Sequence, residues 1–184
     1  YTNQTVVAPL PAYKMGHWTL TAATSEAVNL TAINLLPNAV ASSHASNLYV
    51  KYGTVTSSVK ATVGATAASN NWAINHTLPA GTTIDIMAFA DYSSSATAGT
   101  ATFDLDVDAT TGSSAVSADV TALTGQSIIF STGSFATAFD GSPVNQAVSG
   151  NQTVFVGKFK VTSSYADYTV KEMRFTANSN PSPI

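Results

Sequence analysis

The sequence predicts an all-β fold, an immunoglobulin-like or jelly-roll β-sandwich with an extended, donor-type strand at its N-terminus. Two observations lead to this prediction. Apolar and polar residues alternate with period two along most of the chain, whereas helical periodicity is absent. Turn-forming stretches at residues 79–81, 111–113 and 140–143 separate the alternating runs at short intervals, which is typical of sandwiches.

The predicted organisation is a single sandwich domain over residues 14–177, preceded by an extended segment at 1–13 and followed by an extended tail at 178–184. Residues 39–46 and 61–70 have the weakest strand pattern, so we expect loops or short helical turns there. Strands are expected at 14–21, 27–36, 47–52, 71–77, 83–90, 101–109, 115–121, 127–131, 153–162 and 167–176.

The N-terminal segment is extended and carries Val6, Val7 and Leu10 among polar and proline residues. An apolar extended terminus is what strand donation to a neighbouring molecule requires, because its backbone supplies hydrogen bonds and its side chains fill a groove. We therefore interpret these three residues as a candidate assembly strand. An ordinary first edge strand of the same molecule, or a disordered terminus, would have the same pattern.

Two stretches of the chain repeat one pattern. Residues 15–21 match residues 156–162, and the apolar residues of 28–35 match those of 168–175 in spacing. We call 15–35 the first copy and 156–175 the second copy. A strand pair cannot bury its apolar face alone, so such a repeat is typical of modular or self-associating proteins. We expect a repeated hairpin at the second copy, with apolar residues Phe155, Phe159, Val161, Tyr168, Val170, Met173 and Phe175.

The composition favours a secreted protein that pairs with copies of itself. Charged residues make up 9% of the chain and its net charge is -3, which excludes the basic surface of a nucleic-acid binder. No Lys or Arg occurs between Lys60 and Lys158, so edge strands lack the charges that usually prevent pairing with other molecules. Cysteine is absent, and no apolar run is long enough for a membrane-spanning helix.

Much of the chain resembles a known class of module, through its strands and its Leu78-Pro79-Ala80-Gly81 turn. The stretches that carry the likeness are 47–53, 72–74, 78–86, 89–91, 98–100, 107–110 and 156–162. They resemble the β-sandwich repeat modules of large secreted bacterial surface proteins, and the chain is similar in plan to strand-exchanging extracellular filament subunits. The resemblance implies an extracellular structural role at the cell surface and brings no catalytic residues. Either the chain is cut from a longer array, or its C-terminal strand pair completes a sheet of its own or of a neighbouring subunit.

Asp104, Asp106 and Asp108 alternate with apolar residues, so they lie on one face of a strand. Such a face could hold Ca²⁺, whose ligands are carboxylate and carbonyl oxygens. Residues two apart on a strand are about 7 Å apart, which is too wide for all three side chains to bind one ion without help from a turn. A solvated strand face is the alternative interpretation, and no other cofactor is predicted.

Catalytic and transition-metal sites are not predicted. His17, His44 and His76 are scattered, without the spacing of a zinc site. No Gly-x-Ser-x-Gly elbow is present to support a nucleophilic serine, and the scattered Asp residues do not suggest a glycosidase cleft. We therefore expect a protein that is not an enzyme.

Sugars are the remaining class of ligand. Aromatic side chains could stack on a glycan, and Tyr92, beside three serines, is expected to be the exposed ring, while Trp18 and Phe159 are expected in the core. The glycosylation acceptor pattern Asn-x-Ser/Thr begins at Asn3, Asn29, Asn75 and Asn151. Attached sugars would replace the missing surface charge as a solubilising coat.

Taken together, the sequence predicts a structural subunit of an extracellular, pilus-like filament or surface array, a homopolymer that self-assembles by exchange of terminal β-strands. Its predicted partner is itself. The alternative is a glycan- or Ca²⁺-binding adhesin module cut from a longer repeat protein.

Overall fold

The computed structural model describes residues 1–112, 119–141, 150–155 and 157–176. The chain divides into two compact units, a first unit at Tyr1–Thr132 and a second unit at Gly133–Ile184. The boundary falls inside the stretch 14–177 for which the sequence predicts one domain. The first unit ends there because its buried hydrophobic cluster ends there, since Phe130 is the last of the described residues to belong to that cluster. The predicted tail at 178–184 lies outside the described residues.

The elements of the first unit are β1 (Gln4–Val6), β2 (Leu10–Thr21), β3 (Val28–Pro37), α1 (Ala39–His44), β4 (Ala45–Tyr52), β5 (Val55–Thr56), β6 (Lys60–Thr62), a 3₁₀ turn (Ala67–Asn70), β7 (Asn71–Leu78), β8 (Thr83–Tyr92), β9 (Gly99–Ala101), β10 (Phe103–Thr111), β11 (Val120–Thr124) and β12 (Ile128–Phe130). Those of the second unit are β13 (Ser134–Phe139) and β14 (Phe159–Ser164). The predicted all-β fold class is confirmed. The finer choice between an immunoglobulin-like and a jelly-roll arrangement stays a prediction.

Two larger sheets build the first unit. One has the strand order β2-β8-β4-β5, with β6 also paired to β4, and the other has the order β11-β10-β3-β7. A third, small sheet has the order β1-β12-β9, in which β1 runs parallel to β12. Buried side chains from both larger sheets belong to one hydrophobic cluster, an arrangement consistent with a β-sandwich.

Strand β10 illustrates why the sequence folds this way. Phe103, Leu105 and Val107 are at most 1% exposed, because alternate residues of a strand point to the same face. The intervening carboxylates lie on the opposite face, half-buried or exposed. Alternation in the sequence is therefore converted directly into an apolar inner face and an acidic outer face.

The first copy of the repeat is not a hairpin. Strand β2 pairs with β8, while β3 lies between β10 and β7, so the connection from β2 to β3 passes from one sheet to the other. Strand β3 also contains a bulge relative to β10, since Leu30 lies opposite Ala109 and Ala32 lies opposite the adjacent Asp108, which leaves Thr31 as the extra residue. The extra residue allows Leu30 and Ile33, three positions apart, to be fully buried together.

Several predicted strands need correction. Residues 167–176 form no strand, and only the part of 153–162 from Phe159 onward does, so the repeated hairpin predicted at the second copy is wrong. Its first-copy counterparts do not pair with each other either, since β2 pairs with β8 and β3 pairs with β10 and β7. The expected strand at 115–121 falls mostly outside the described residues, and strands β1, β5, β6, β9 and β13 were not predicted.

Candidate assembly site

The N-terminal candidate strand is paired within its own chain. Strand β1 runs along β12, with Val6 opposite Phe130, and the Val6 carbonyl accepts a hydrogen bond of 2.9 Å from the Ser131 amide. Val6 and Leu10 pack against the core, and Val7 is half-buried. This is the arrangement of an ordinary edge strand. Exchange of the same strand with a neighbouring molecule stays a prediction.

A side-chain clamp covers part of the outer edge of β2. The amide of Gln126 accepts a hydrogen bond of 2.8 Å from the His17 backbone N–H and donates one of 3.1 Å to the His17 carbonyl. The Trp18 indole N–H donates to the Leu123 carbonyl at 3.2 Å. These contacts satisfy backbone groups that another strand would need for pairing, and they do so without a charged residue. Nothing in the local sequence pattern indicates this clamp, because its two sides are far apart in the chain.

The acidic face of β10 makes hydrogen bonds within the first unit. An Asp106 carboxylate oxygen accepts from the Ala122 backbone N–H, and Asp108 accepts from the Asn34 side-chain amide at 3.4 Å. Asp104 is half-buried on the same face. Among the described residues there is no group of three or more His, Asp or Glu side chains that could hold a metal ion. Calcium binding by the three aspartates therefore stays a prediction.

Neighbouring side chains cover the aromatic rings on the outer face of the sheet with the order β2-β8-β4-β5, and also the ring of Tyr1. The rings of Tyr49 and Phe89 stack with centroids 5.1 Å apart and planes 9° apart. The Lys51 ammonium lies 5.0 Å from the Phe89 centroid, and the Lys14 ammonium lies 4.2 Å from the ring centroid of Tyr1. These cation–π contacts take up ring faces on which a sugar would stack.

Two aromatic predictions are wrong and one is confirmed. Tyr92, expected to be exposed, is 2% exposed, with its ring 4.7 Å from that of Phe130, and burial raises its pKa above the ordinary value. Phe159, expected in the core, is 52% exposed. Trp18 is buried as predicted. The errors have one cause, since local polarity does not reveal which neighbouring strands will cover a ring.

The three histidines have separate surroundings. The His17 Nε2 lies 3.1 Å from an Asp85 oxygen, the His44 Nδ1 lies 3.3 Å from the Ser95 hydroxyl, and the His76 ring packs edge-on against Tyr52. They do not converge on one site.

The four glycosylation patterns differ in accessibility. Asn3, Asn75 and Asn151 are exposed, and Asn151 has a positive φ of 63°. Asn29 is half-buried, and its side-chain oxygen is buried without a hydrogen-bond partner. Only the three exposed asparagines are therefore placed to carry a sugar in the folded chain.

The second unit exposes an apolar surface. Strand β13 pairs with β14 from Ser134 opposite Ser164 to Phe139 opposite Phe159. A groove of about 490 Å³ lies in this unit, and the apolar side chains that line it include Phe135, Phe159, Val161, Val170, Met173 and Phe175. Exposed apolar patches of this kind mark interaction surfaces.

The predicted apolar residues of the second copy form the larger part of this surface. The exposed fractions are 64% for Phe155, 52% for Phe159, 42% for Val161, 45% for Tyr168, 45% for Val170, 65% for Met173 and 72% for Phe175. The structure thus brings several of the predicted residues together around one groove, although not in a hairpin.

The corresponding residues of the first copy are buried. Ile33 and Leu35 are fully buried. Met173 and Phe175 occupy the equivalent positions of the second copy and are the most exposed residues of its apolar set. Among the described residues, the second unit contains no strands that correspond to β8 and β10. In the part of the chain that the structure describes, the second copy therefore has the sequence of core strands without strands like β8 and β10 to cover them.

Comparisons with known proteins add no further assignment. No protein-family model matches the chain, and no match is found among curated proteins or solved structures. Within the described part of the chain, no helix has the length and apolar character needed to cross a membrane. The likeness to surface-protein modules rests on the sequence motifs alone.

Proposed function

We propose that this chain is a structural subunit of an extracellular filament or surface array, and that the second copy of the repeat is the site through which subunits associate. A single observation carries the proposal. Side chains that are buried in the first copy are matched by exposed apolar side chains in the second, as with Ile33 and Met173. A chain that repeats core strands without their covering sheets is suited to association with strands from elsewhere.

The magnitude of the apolar surface is consistent with reversible assembly. Full burial of one fully exposed large apolar side chain contributes about 1.5–3 kcal/mol. Phe159, Val170, Met173 and Phe175 are between 45% and 72% exposed, so burial of what remains exposed would contribute about 4–7 kcal/mol. Association costs about 4–15 kcal/mol in lost translational and rotational freedom. The two ranges overlap, so we expect assembly that depends on protein concentration.

The composition supports association with other molecules. The chain relies on Ser, Thr, Asn and Gly for its polar surface, and it has no Lys or Arg from 61 to 157. Edge strands without such charges pair readily with other molecules, a disadvantage for a monomer but an advantage for a subunit of an array. The second copy replaces the N-terminal strand as our preferred assembly element, because Val6 and Leu10 already pack against the core of their own unit.

The proposal is tested by light scattering and negative-stain electron microscopy of the full chain over a concentration series. We expect particles that grow into fibres or sheets, and we expect the triple variant Phe159→Ser, Met173→Ser, Phe175→Ser to remain dispersed. The matched control removes exposed apolar side chains from the first unit, with Leu36→Ser, Val55→Ser and Val59→Ser, which are 40%, 40% and 57% exposed. Wild-type protein that stays monomeric at every concentration, or a control variant that disperses equally, would overturn the proposal.

A further inference from the structure

Residues 168–175 have the sequence of a bulged core strand. In β3, Leu30 and Ile33 are both buried although they are three positions apart, because β3 has one extra residue between Leu30 and Ala32 in its ladder with β10. The second copy reproduces this spacing, with Val170 and Met173 separated by Lys171 and Glu172. The segment is therefore suited to pair as β3 does, with the same bulge.

The principal partner of β3 has a distinctive chemistry. Strand β10 pairs with β3 from Phe103 opposite Pro37 to Thr111 opposite Val28. Along this ladder β10 alternates apolar residues, which are buried, with carboxylates on the outer face. Asn34 of β3 lies directly opposite Asp106, and its side-chain amide reaches Asp108.

The second copy carries positive charge where the first copy faces these carboxylates. Arg174 has the place of Asn34 in the repeat, so in a ladder like that of β3 its guanidinium would lie beside two carboxylates of the partner strand. An arginine pairs with carboxylates through strong, charge-assisted hydrogen bonds. The apolar spacing and the charge therefore indicate the same kind of partner strand.

The other half of the second copy follows the same rule. Lys158 and Lys160 have the places of His17 and Thr19 in the repeat. In the first unit, the His17 ring lies 3.1 Å from Asp85, and Thr19 is paired directly opposite Asp85. Both lysines would consequently face a carboxylate on a strand of the β8 type.

We propose that residues 168–175 bind, by β-strand pairing, a strand of another polypeptide in which apolar residues alternate with carboxylates as they do in β10. This inference rests on the proposed structural role and adds a second kind of partner, a different subunit of the array, to the association between copies of this chain. The partner strand belongs to a polypeptide in which no strand occupies the position that β3 has beside β10. In this chain β10 already lies between β11 and β3, so both of its edges are occupied.

One residue of the second copy does not fit this partner. Glu172 has the place of Ala32, which is buried and lies opposite Asp108. In this structure Glu172 instead contacts the Arg174 side chain at 2.6 Å. The exchange Glu172→Ala removes a like charge from the ladder and releases Arg174, so it should strengthen binding of the acidic strand.

The experiment uses the full chain and a fluorescently labelled synthetic peptide with the sequence of residues 99–111, with binding measured by anisotropy. We expect saturable binding that weakens about tenfold when Asp104, Asp106 and Asp108 of the peptide are replaced by Asn, the effect of losing charge-assisted hydrogen bonds. Arg174→Gln in the chain should weaken binding to a similar degree, and Glu172→Ala should strengthen it. Met173→Ser with Phe175→Ser should abolish it, while the control Val59→Ser should leave it unchanged.

The outcomes separate this inference from the proposed function. Equal binding of a scrambled peptide, or binding that is indifferent to Arg174→Gln and to Met173→Ser with Phe175→Ser, would overturn the proposed pairing. If the peptide does not bind while assembly still depends on Phe159, Met173 and Phe175, the structural role stands and only the proposed chemistry of the partner strand is wrong. If the peptide binds as expected but the chain never assembles, the pairing stands and the proposed function fails.

Discussion

The first and second copies of the repeat share a pattern of apolar residues but differ in what surrounds them. In the first copy, β2 and β3 belong to two sheets whose inner faces form one core, and Ile33 is fully buried. In the second copy, Met173 has the place of Ile33 and is 65% exposed. A pattern of apolar residues therefore specifies which face of a strand is to be buried, but burial requires partner strands that lie elsewhere in the chain or in another molecule.

The difference is informative because the two copies have the same local signals. Each has a glycine two residues before an aromatic side chain, as in Gly16 and Trp18 or Gly157 and Phe159. Both tryptophans of the chain, Trp18 and Trp72, lie in the first unit. Tryptophan fluorescence therefore reports unfolding of the first unit alone, and variants of the second copy need circular dichroism, which responds to the strands of both units.

The largest expected effect comes from truncating the same repeat position in each copy. Ile33→Ala should lower the free energy of unfolding of the first unit by about 2–5 kcal/mol, because it leaves a cavity in a closed core. Met173→Ala should change the free energy of unfolding of the second unit by less than about 0.5 kcal/mol, because the side chain is largely exposed. Urea denaturation followed by tryptophan fluorescence measures the first variant, and circular dichroism, which responds to the strands of both units, measures the second. Similar losses for the two would contradict the distinction between a covered and an uncovered copy.

A smaller effect is expected from the repeated glycine. A methyl group at Gly16 would overlap the Trp18 indole, whereas at Gly157 it would lie 3.2 Å from the Phe139 ring, which is 53% exposed and able to move. Gly16→Ala should therefore destabilise the first unit by about 1–3 kcal/mol through overpacking. Gly157→Ala should be neutral for the second unit within about 0.5 kcal/mol, as measured by urea denaturation followed by circular dichroism. A neutral Gly16→Ala would show that the indole can shift, and that the glycine is not required for its packing.

The sequence predicted the strands whose signal is local. Strands β3, β8 and β10 lie within about two residues of their predicted bounds, because alternation of inner and outer side chains is encoded residue by residue. The burial of Trp18 and the outer position of Asp104, Asp106 and Asp108 follow from the same alternation.

The features that sequence could not provide depend on pairing over long distances. The exposure of Phe159, the burial of Tyr92 and the absence of a strand at 167–176 are each decided by which strands lie alongside. The Gln126 clamp on His17 joins residues far apart in the chain. The residues of the candidate assembly site could be predicted from the repeat, but their exposure around one groove could not.

The smallest expected effect concerns the start of β2, which lies in residues 8–14, a stretch of the first copy's lead-in that has no counterpart before the second copy. Asp91 accepts hydrogen bonds from the Asn47 side chain at 2.7 Å and from the Ala12 backbone N–H at 2.6 Å, and Ala12 has a positive φ of 44°. Both bonds lower the pKa of Asp91 below its usual value of 3.8, and the bond from Asn47 has the larger effect. A lowered folded-state pKa contributes stability at pH values above 3.8, and this contribution is lost as the pH falls through the folded-state pKa.

Asp91→Asn should therefore destabilise the first unit near neutral pH by no more than about 0.5 kcal/mol, since the group is exposed and solvent screens its interactions. The penalty should shrink as the pH is lowered below the usual pKa of an aspartate, because the wild-type carboxyl then becomes protonated too. Urea midpoints from tryptophan fluorescence, compared at neutral and acid pH, measure this change. Asp167→Asn in the second unit is the control and should leave the midpoint unchanged at both. The loss of stability in Asp91→Asn could instead be the same at neutral and at acid pH. The ionised carboxylate would then not be what holds Ala12, and the start of β2 would depend on backbone pairing alone.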